Sequence, residues 1–348
     1  MAKFRVALSA DFLKPDGSPA YPMFDLAPLT SDPHIELGYV LPDGGVMPAA
    51  GLAGYDALIL LVPKFNPASI PADGRLGVVA RFGVGYDSVD VAACTAGDVA
   101  LCITPDGVRR PVAVSILTLI LALTGKLIIK DQLTRQGPDG FNQRAQHMGV
   151  GLVGKVLGSI GIGNIGAELF RLAKPFAMRF MAHDPLADKV VAAELGIELV
   201  SLEDLFRKSD IVCVNCPLTP ETKHIVNAKR LALMKPTAYL INTSRGPTVD
   251  QKALTKALQA RSIAGAGLDV FEEEPPAKDD PLLALDNVIV TPHALCWTDQ
   301  CFAGNGAADV KAVLDFMAGR EPAAIVNRAV TARDGWKRRL EANRKAFA

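Results

Sequence analysis

The chain carries no excess of charge: its 348 residues hold 37 Lys and Arg against 37 Asp and Glu. That balance removes the broad electrostatic surface on which sequence-independent nucleic-acid binding depends. Aromatic residues are scarce at 6%, which argues against base-stacking platforms, so no nucleic-acid partner is expected. Six cysteines are too few for a disulfide scaffold and fit a reducing, cytoplasmic compartment. Met1–Ala10 has no apolar h-region before a cleavage site, so no secretory leader is expected. The most membrane-like run, Val112–Thr124, is thirteen residues long, short of the about 20 that span a bilayer. It reads as a buried or interface helix, and no membrane partner is expected.

What the chain has in quantity is apolar material, 49% of its residues, too much for a disordered chain. Its length predicts about two domains of roughly 100–200 residues each. Phe4–Leu8, Ala57–Val62 and Gly77–Ala80 read as strands, with turn chemistry at Asp11–Tyr21 and Leu41–Gly54. The Thr104–Pro105–Asp106–Gly107 cluster marks a crossover between domains. From Lys155 onward the pattern becomes βα, with strands expected at Lys155–Ile160, Arg179–His183, Ile211–Val214, Ala238–Asn242, Ala264–Leu268 and Val288–Val290. Ser201 and Asp250 stand where helix N-caps are needed. Such alternation implies a doubly wound α/β fold with a parallel sheet covered on both faces.

The pattern G-x-G-x-x-G occurs twice. Gly149–Gly154 precedes a strand, the wrong context, and reads as a linker. Gly161, Gly163 and Gly166 follow a strand and open an amphipathic stretch with Ile165, Leu169, Leu172 and Phe176 at near-helical spacing. Glycines there permit a tight turn and close approach to a pyrophosphate, whose charge the helix N-terminus favours. Asp184, 18 residues beyond Gly166, is placed to accept from ribose hydroxyls and to repel a 2′-phosphate, so NAD is the expected cofactor.

In open α/β sheets the ligand site lies beyond the carboxyl ends of the strands. Three polar clusters follow expected strands: Asn242–Gly246 with Arg245, Asp269–Pro275 with three glutamates, and Thr291–His293. A guanidinium can grip a carboxylate and a carbonyl with its planar fork. A histidine can exchange a proton with a hydroxyl near neutral pH, and an adjacent carboxylate favours its charged form. Arginine, acid and imidazole at one edge suit a 2-keto or 2-hydroxy acid. An extended segment would put Glu272 and Glu274 on one face, so spacing alone leaves both open as the histidine's partner.

Five stretches carry a resemblance: ARFGVGYDSVD at 80–90, LGSIGIGNIG at 157–166, INTSRGPTVD at 241–250, LDVFEEEP at 268–275 and TPH at 291–293. The chain resembles the D-isomer-specific 2-hydroxyacid dehydrogenases, the family of glyoxylate/hydroxypyruvate, phosphoglycerate and D-lactate enzymes, over roughly residues 81–327. The resemblance implies two Rossmann-like doubly wound domains with the active site in the cleft between them. The substrate-binding domain would be discontinuous, 1–103 with 295–348, and the NAD-binding domain would span 104–294. By resemblance Arg245 binds substrate, Glu274 pairs with the catalytic histidine, and His293 is the acid in ketoacid reduction and the base in reverse. Asp269 matches the aspartate that contacts the nicotinamide amide, and Asn164 and Ile165 would offer their amides to the pyrophosphate. Cys216, Thr222 and Thr243 fall at positions around the cofactor, and Val84 and Gly85 in the loop that holds the substrate carboxylate. Trp297 stands where small residues are usual, as a wall of the substrate pocket or a packing residue. A homodimer through the NAD-binding domain, with 115–154 in the contact, is also implied.

The alternative is a non-catalytic NAD(H)-sensing corepressor-like scaffold on the same fold. Cys213-x-x-Cys216 begins inside an apolar strand and lacks a second ligand pair, so no metal is expected. His34, His147, His183 and His224 have no partner at useful spacing in sequence, and the basic residues of the last 21 positions read as a solvated helix.

Overall fold

The computed structural model describes residues 3–347. The chain divides into two compact units. Unit 1 takes the residues up to Val108 together with those from Thr298 onward, and unit 2 is Arg109–Trp297.

Unit 1 is built on a five-stranded parallel sheet. Its strands are β1 (Phe4–Ser9), β2 (Ile35–Val40), β3 (Ala57–Leu60), β4 (Val78–Arg81) and β5 (Ala100–Ile103), in the order β2-β1-β3-β4-β5. β3 and β1 are almost wholly buried, as expected of parallel strands covered on both faces. The glycine-rich segment at 82–86 follows β4 directly, which places Val84 and Gly85 beyond the carboxyl end of that strand. The Asp299–Met317 helix packs on the sheet through Phe302, Val310, Val313 and Phe316.

Unit 2 holds the larger sheet, also parallel: β6 (Val156–Ile160), β7 (Arg179–His183), β8 (Ile197–Leu199), β9 (Ile211–Val214), β10 (Tyr239–Asn242), β11 (Gly265–Leu268) and β12 (Val288–Val290). The order is β12-β11-β10-β9-β6-β7-β8, so the winding reverses at β6. The register aligns the strand ends: Ile160 lies opposite His183 and Val214, Asn242 opposite Val214 and Leu268, and Leu268 opposite Val290. Every loop that follows these strands therefore leaves from one edge, with the β6 loop at the switch point where ligands bind in such sheets.

The nine strands expected from the sequence all form. The three unexpected ones each have a local reason. β2 carries Glu36 and Gly38 and is half-exposed at the sheet edge. β8 is a three-residue edge strand with two exposed residues, and β5 has only four residues after Asp98, whose backbone is left-handed.

The apolar run at Val112–Thr124 belongs to a longer helix, Pro105–Thr124, of 20 residues. By length and composition that helix could cross a membrane, and more than half of its apolar window is buried within the chain. Ala113, Ile116, Leu119, Ile120 and Leu123 sit in the core of unit 2, each large side chain contributing roughly 1.5–3 kcal/mol by removal from water.

The C-terminal basic helix, Asp334–Phe347, is not simply solvated. Its own Trp336 is buried. Its basic groups hold carbonyls of unit 1: Arg339 donates to Asp98 and Gly97, and Arg344 to Gly319. Arg333, just before the helix, pairs with the Asp98 carboxylate.

Candidate active site

The second glycine motif folds as its context requires. Gly161 leaves β6 with φ +94, and a Cβ there would meet Asn215 O at 2.9 Å. Gly166 lies so close to Gly161 O that a Cβ would come within 2.4 Å. Gly163 caps the Asn164–Ala173 helix and has open space where a Cβ would project, the clearance a pyrophosphate needs at a helix N-terminus. Asn164 and Ile165 form the first turn of that helix. The motif at Gly149–Gly154 is a loop leading into β6.

Asp184 follows β7 directly and is held on both oxygens, Oδ2 accepting from Ile162 N and Oδ1 from Leu186 N, each at 2.9 Å. The carboxylate keeps lone pairs for further donors. Cys216 is buried, which pushes its thiol up to about 11, so it stays uncharged. Thr222 spends its hydroxyl on Pro217 O at 2.6 Å and accepts from Thr219 N at 2.7 Å, shaping the loop after β9. Thr243 differs: its hydroxyl oxygen is buried with no hydrogen-bond partner among the described residues. A buried hydroxyl left unpaired costs about 1–3 kcal/mol, and one at the strand-end edge is suited to a bound ligand. The open Gly163 and the unpaired Thr243 hydroxyl both fit a dinucleotide lying along this edge.

Arg245 follows β10 in a turn fixed by its own carbonyl, which accepts from Asn242 Nδ2 at 3.0 Å and Thr248 Oγ1 at 2.6 Å. Its guanidinium donates to Ser244 O at 2.7 Å. Glu274, beyond β11, accepts from Phe271 N at 2.9 Å through Oε1 and from His293 Nδ1 at 2.7 Å through Oε2. That bond puts the proton on Nδ1 and leaves Nε2 as the ring nitrogen that Glu274 does not engage. Burial alone would raise the Glu274 carboxyl. The bonds from His293 and the Phe271 amide, with the charges of His293 and Arg245, outweigh it and hold the group below its ordinary value. Glu274 thus feels both His293 and Arg245 within unit 2.

His293 itself sits at φ +55, a conformation uncommon outside glycine. The turn is held by Asp269, which is buried at the end of β11. Asp269 Oδ1 accepts from Thr291 Oγ1 at 2.6 Å, Ala294 N at 3.1 Å and Leu295 N at 3.2 Å. The sequence singled out Asp269 only for the cofactor; anchoring the histidine turn is a role its motif position does not reveal. Trp297, at the end of unit 2, is 44% exposed and its amide donates to Ala294 O.

The two candidate glutamates are separated by the fold. Glu274 takes His293, whereas Glu272 Oε1 accepts from His224 Nε2 at 2.6 Å. His224 therefore has a partner 48 residues away that spacing along the chain did not expose. Cys213 and Cys216 are both free thiols, and burial raises the Cys213 thiol strongly.

The D-isomer specific 2-hydroxyacid dehydrogenase, NAD binding domain, description matches residues 117–294, a stretch containing the glycine loop, Arg245, Glu274 and His293. The chain belongs to that family. It is 39% identical over 277 residues to a glyoxylate reductase of Korarchaeum cryptofilum, covering 79% of this chain and 83% of the relative. Its fold matches an NADPH-dependent glyoxylate/hydroxypyruvate reductase of Sinorhizobium meliloti solved with NADP and malonate, with a TM-score of 0.79 and 28% identity over 93% of this chain and 97% of that one. It also matches a D-lactate dehydrogenase of Aquifex aeolicus complexed with NAD and lactic acid, with a TM-score of 0.76 and 28% identity over 90% and 96%. The family member described here is accordingly an NAD(P)-dependent oxidoreductase of 2-keto and 2-hydroxy acids.

Proposed function

We propose that this dehydrogenase interconverts a small 2-keto acid and the D-2-hydroxy acid, with NAD(H) as cofactor and His293 as acid and base. The Arg245–Glu274–His293 constellation carries this reading. Arg245 would grip the substrate carboxylate and orient its carbonyl. The bound nicotinamide supplies the hydride. His293, its Nδ1–H hydrogen-bonded to the Glu274 carboxylate, would as the charged ring donate the Nε2 proton to the carbonyl oxygen during reduction and take a proton back at Nε2 during oxidation. Glu274 stabilises the charged ring and fixes its orientation.

Asp184 supports NAD over NADP, since a carboxylate at that strand end disfavours a 2′-phosphate. Asn164, Ile165, Thr243 and Asp269 are the proposed cofactor contacts, with Cys216 and Thr222 in the lining. Trp297 is the proposed wall of the substrate pocket. Exposed Leu121, Leu127, Ile128, Phe141, Met148 and Val153 cluster in the 115–154 stretch and support a homodimer through unit 2. Free, buried cysteines fit the cytoplasm.

The test is NADH and NADPH oxidation against glyoxylate, hydroxypyruvate, pyruvate and bulkier 2-keto acids. Turnover with NADH preferred is expected. Binding of NADH without turnover on any of them would instead favour a cofactor-sensing scaffold.

A further inference from the structure

Glu272 is a second carboxylate on the acid-bearing loop, and the proposed reaction does not use it. Its contacts are specific all the same. Oε1 accepts from His224 Nε2 at 2.6 Å, and Oε2 accepts from the Gln251 amide at 3.2 Å. The Glu272 amide donates in turn to Gln251 Oε1 at 2.9 Å. His224 lies in the loop after β9, Gln251 opens the Gln251–Gln259 helix after β10, and Glu272 follows β11. One carboxylate therefore ties together the loops of three adjacent strands.

The arginine loop is bound into the same knot. The His224 amide donates to Pro247 O at 2.9 Å, and a Cβ on Gly246 would come within 1.6 Å of Phe271 O. No side chain could occupy that approach. Phe271 is also the residue whose amide holds Glu274 Oε1. A continuous run of contacts thus leads from His224 through Glu272 and the Phe271 amide to Glu274, and from Glu274 to His293.

We infer that His224 and Glu272 are positioning residues for the acid–base pair, fixing the Phe271–Glu274 loop so that Glu274 meets His293. The inference rests on His293 being the proton-transfer group. Both would act through the loop rather than on the reacting atoms. Glu274 reaches His293 from a loop, with its side chain 36% exposed, so its place depends on what anchors that loop. A displacement of about 1 Å at a catalytic group can cost up to about a hundredfold in rate. The anchor consists of bonds to a carboxylate, among the stronger hydrogen bonds available to a protein.

In the full chain, Glu272→Ala is expected to lower kcat for 2-keto acid reduction about ten- to hundredfold. KM for the keto acid should stay within about twofold, because the Arg245 turn keeps its own bonds from Asn242 and Thr248. Glu272→Gln keeps an oxygen for the His224 donor and should retain kcat within about threefold of the parent. A second readout is independent of turnover: the low-field proton resonance of His293 Nδ1, identified by its loss in His293→Ala. It should persist in Glu272→Gln and broaden or vanish in Glu272→Ala. If the parent protein turned over no 2-keto acid, the functional reading would fall while this resonance still decided the positioning. If Glu272→Ala folds poorly, His224→Asn, which is too short to reach Glu272, replaces it with the same expectations. Parent-level kcat and an unaltered resonance in the folded variant would overturn the inference.

Discussion

Unit 2 contains two histidine–carboxylate pairs of nearly the same dimensions. His293–Glu274 meets at 2.7 Å with side chains 45% and 36% exposed, and His224–Glu272 at 2.6 Å with 36% and 31%. The second carboxylates' oxygens also each take a backbone amide, from Phe271 in one pair and Gln251 in the other. Bond length and burial therefore do not separate an acid–base pair from a positioning pair. The difference lies in what surrounds them. His293 uses Nδ1 for its glutamate, whereas His224 uses Nε2. The Arg245 charge acts on Glu274. A small anionic substrate needs a cation beside the proton-transferring pair, and Arg245 supplies one to the first pair.

The largest effect that could break this contrast is the loss of either ring. His293→Ala should lower kcat by about 10²–10⁴-fold, the range of a general acid, while NADH still quenches the protein's fluorescence on binding. His224→Asn should cost no more than about a hundredfold. Equal losses in steady-state assays would erase the distinction between the pairs.

Arg245→Lys ranks next. Lysine keeps the charge but not the planar fork, so kcat/KM should fall about a hundredfold, chiefly through KM for the keto acid. An unchanged KM would place substrate binding elsewhere and leave the two pairs without their distinguishing cation.

The sheet and its edge were largely legible in the sequence, because apolar four- to six-residue runs and glycine punctuation are local properties. β6 to the Asn164–Ala173 helix was readable as one unit for that reason. β2 and β8 escaped because edge strands bury one side only and lose the apolar run. At the site, Arg245, Glu274 and His293 were marked by motif position. The partner of His224 was not, since residues 224 and 272 meet only after β10 and its helix have folded between them. Nor was the grip of Asp269 on residues 291–295, which exists only because β11 and β12 end in register. Side-chain function at strand ends can be read from types and order. Which acid serves which base depends on loop geometry that no local pattern records.

Glu274→Gln sharpens the contrast through pH. The folded Glu274 carboxyl lies below its ordinary value of 4.5. Its contribution to stability is therefore fully present above pH 4.5 and is lost as pH falls through the folded value. The Tm gap between parent and variant should be widest above pH 4.5 and should narrow on acidification. A gap that widened as pH fell would mean that the carboxylate is not held by its donors as described.

The smallest expected change is the stability effect of His224→Asn. The lost hydrogen bond contributes about 0.5–1.5 kcal/mol, reduced by the partial exposure of both partners. Against it, His224 sits at φ +50, and asparagine adopts the left-handed region readily. The two effects oppose each other, so the net change should be under about 1 kcal/mol, a Tm shift of about 2–4 °C or less. A small shift in thermal denaturation together with a clear loss of kcat would assign His224 to the placement of Glu274. A drop on the order of 10 °C would make the pair a structural clasp whose effect on rate follows from partial unfolding, and the comparison of the two pairs would lose its meaning.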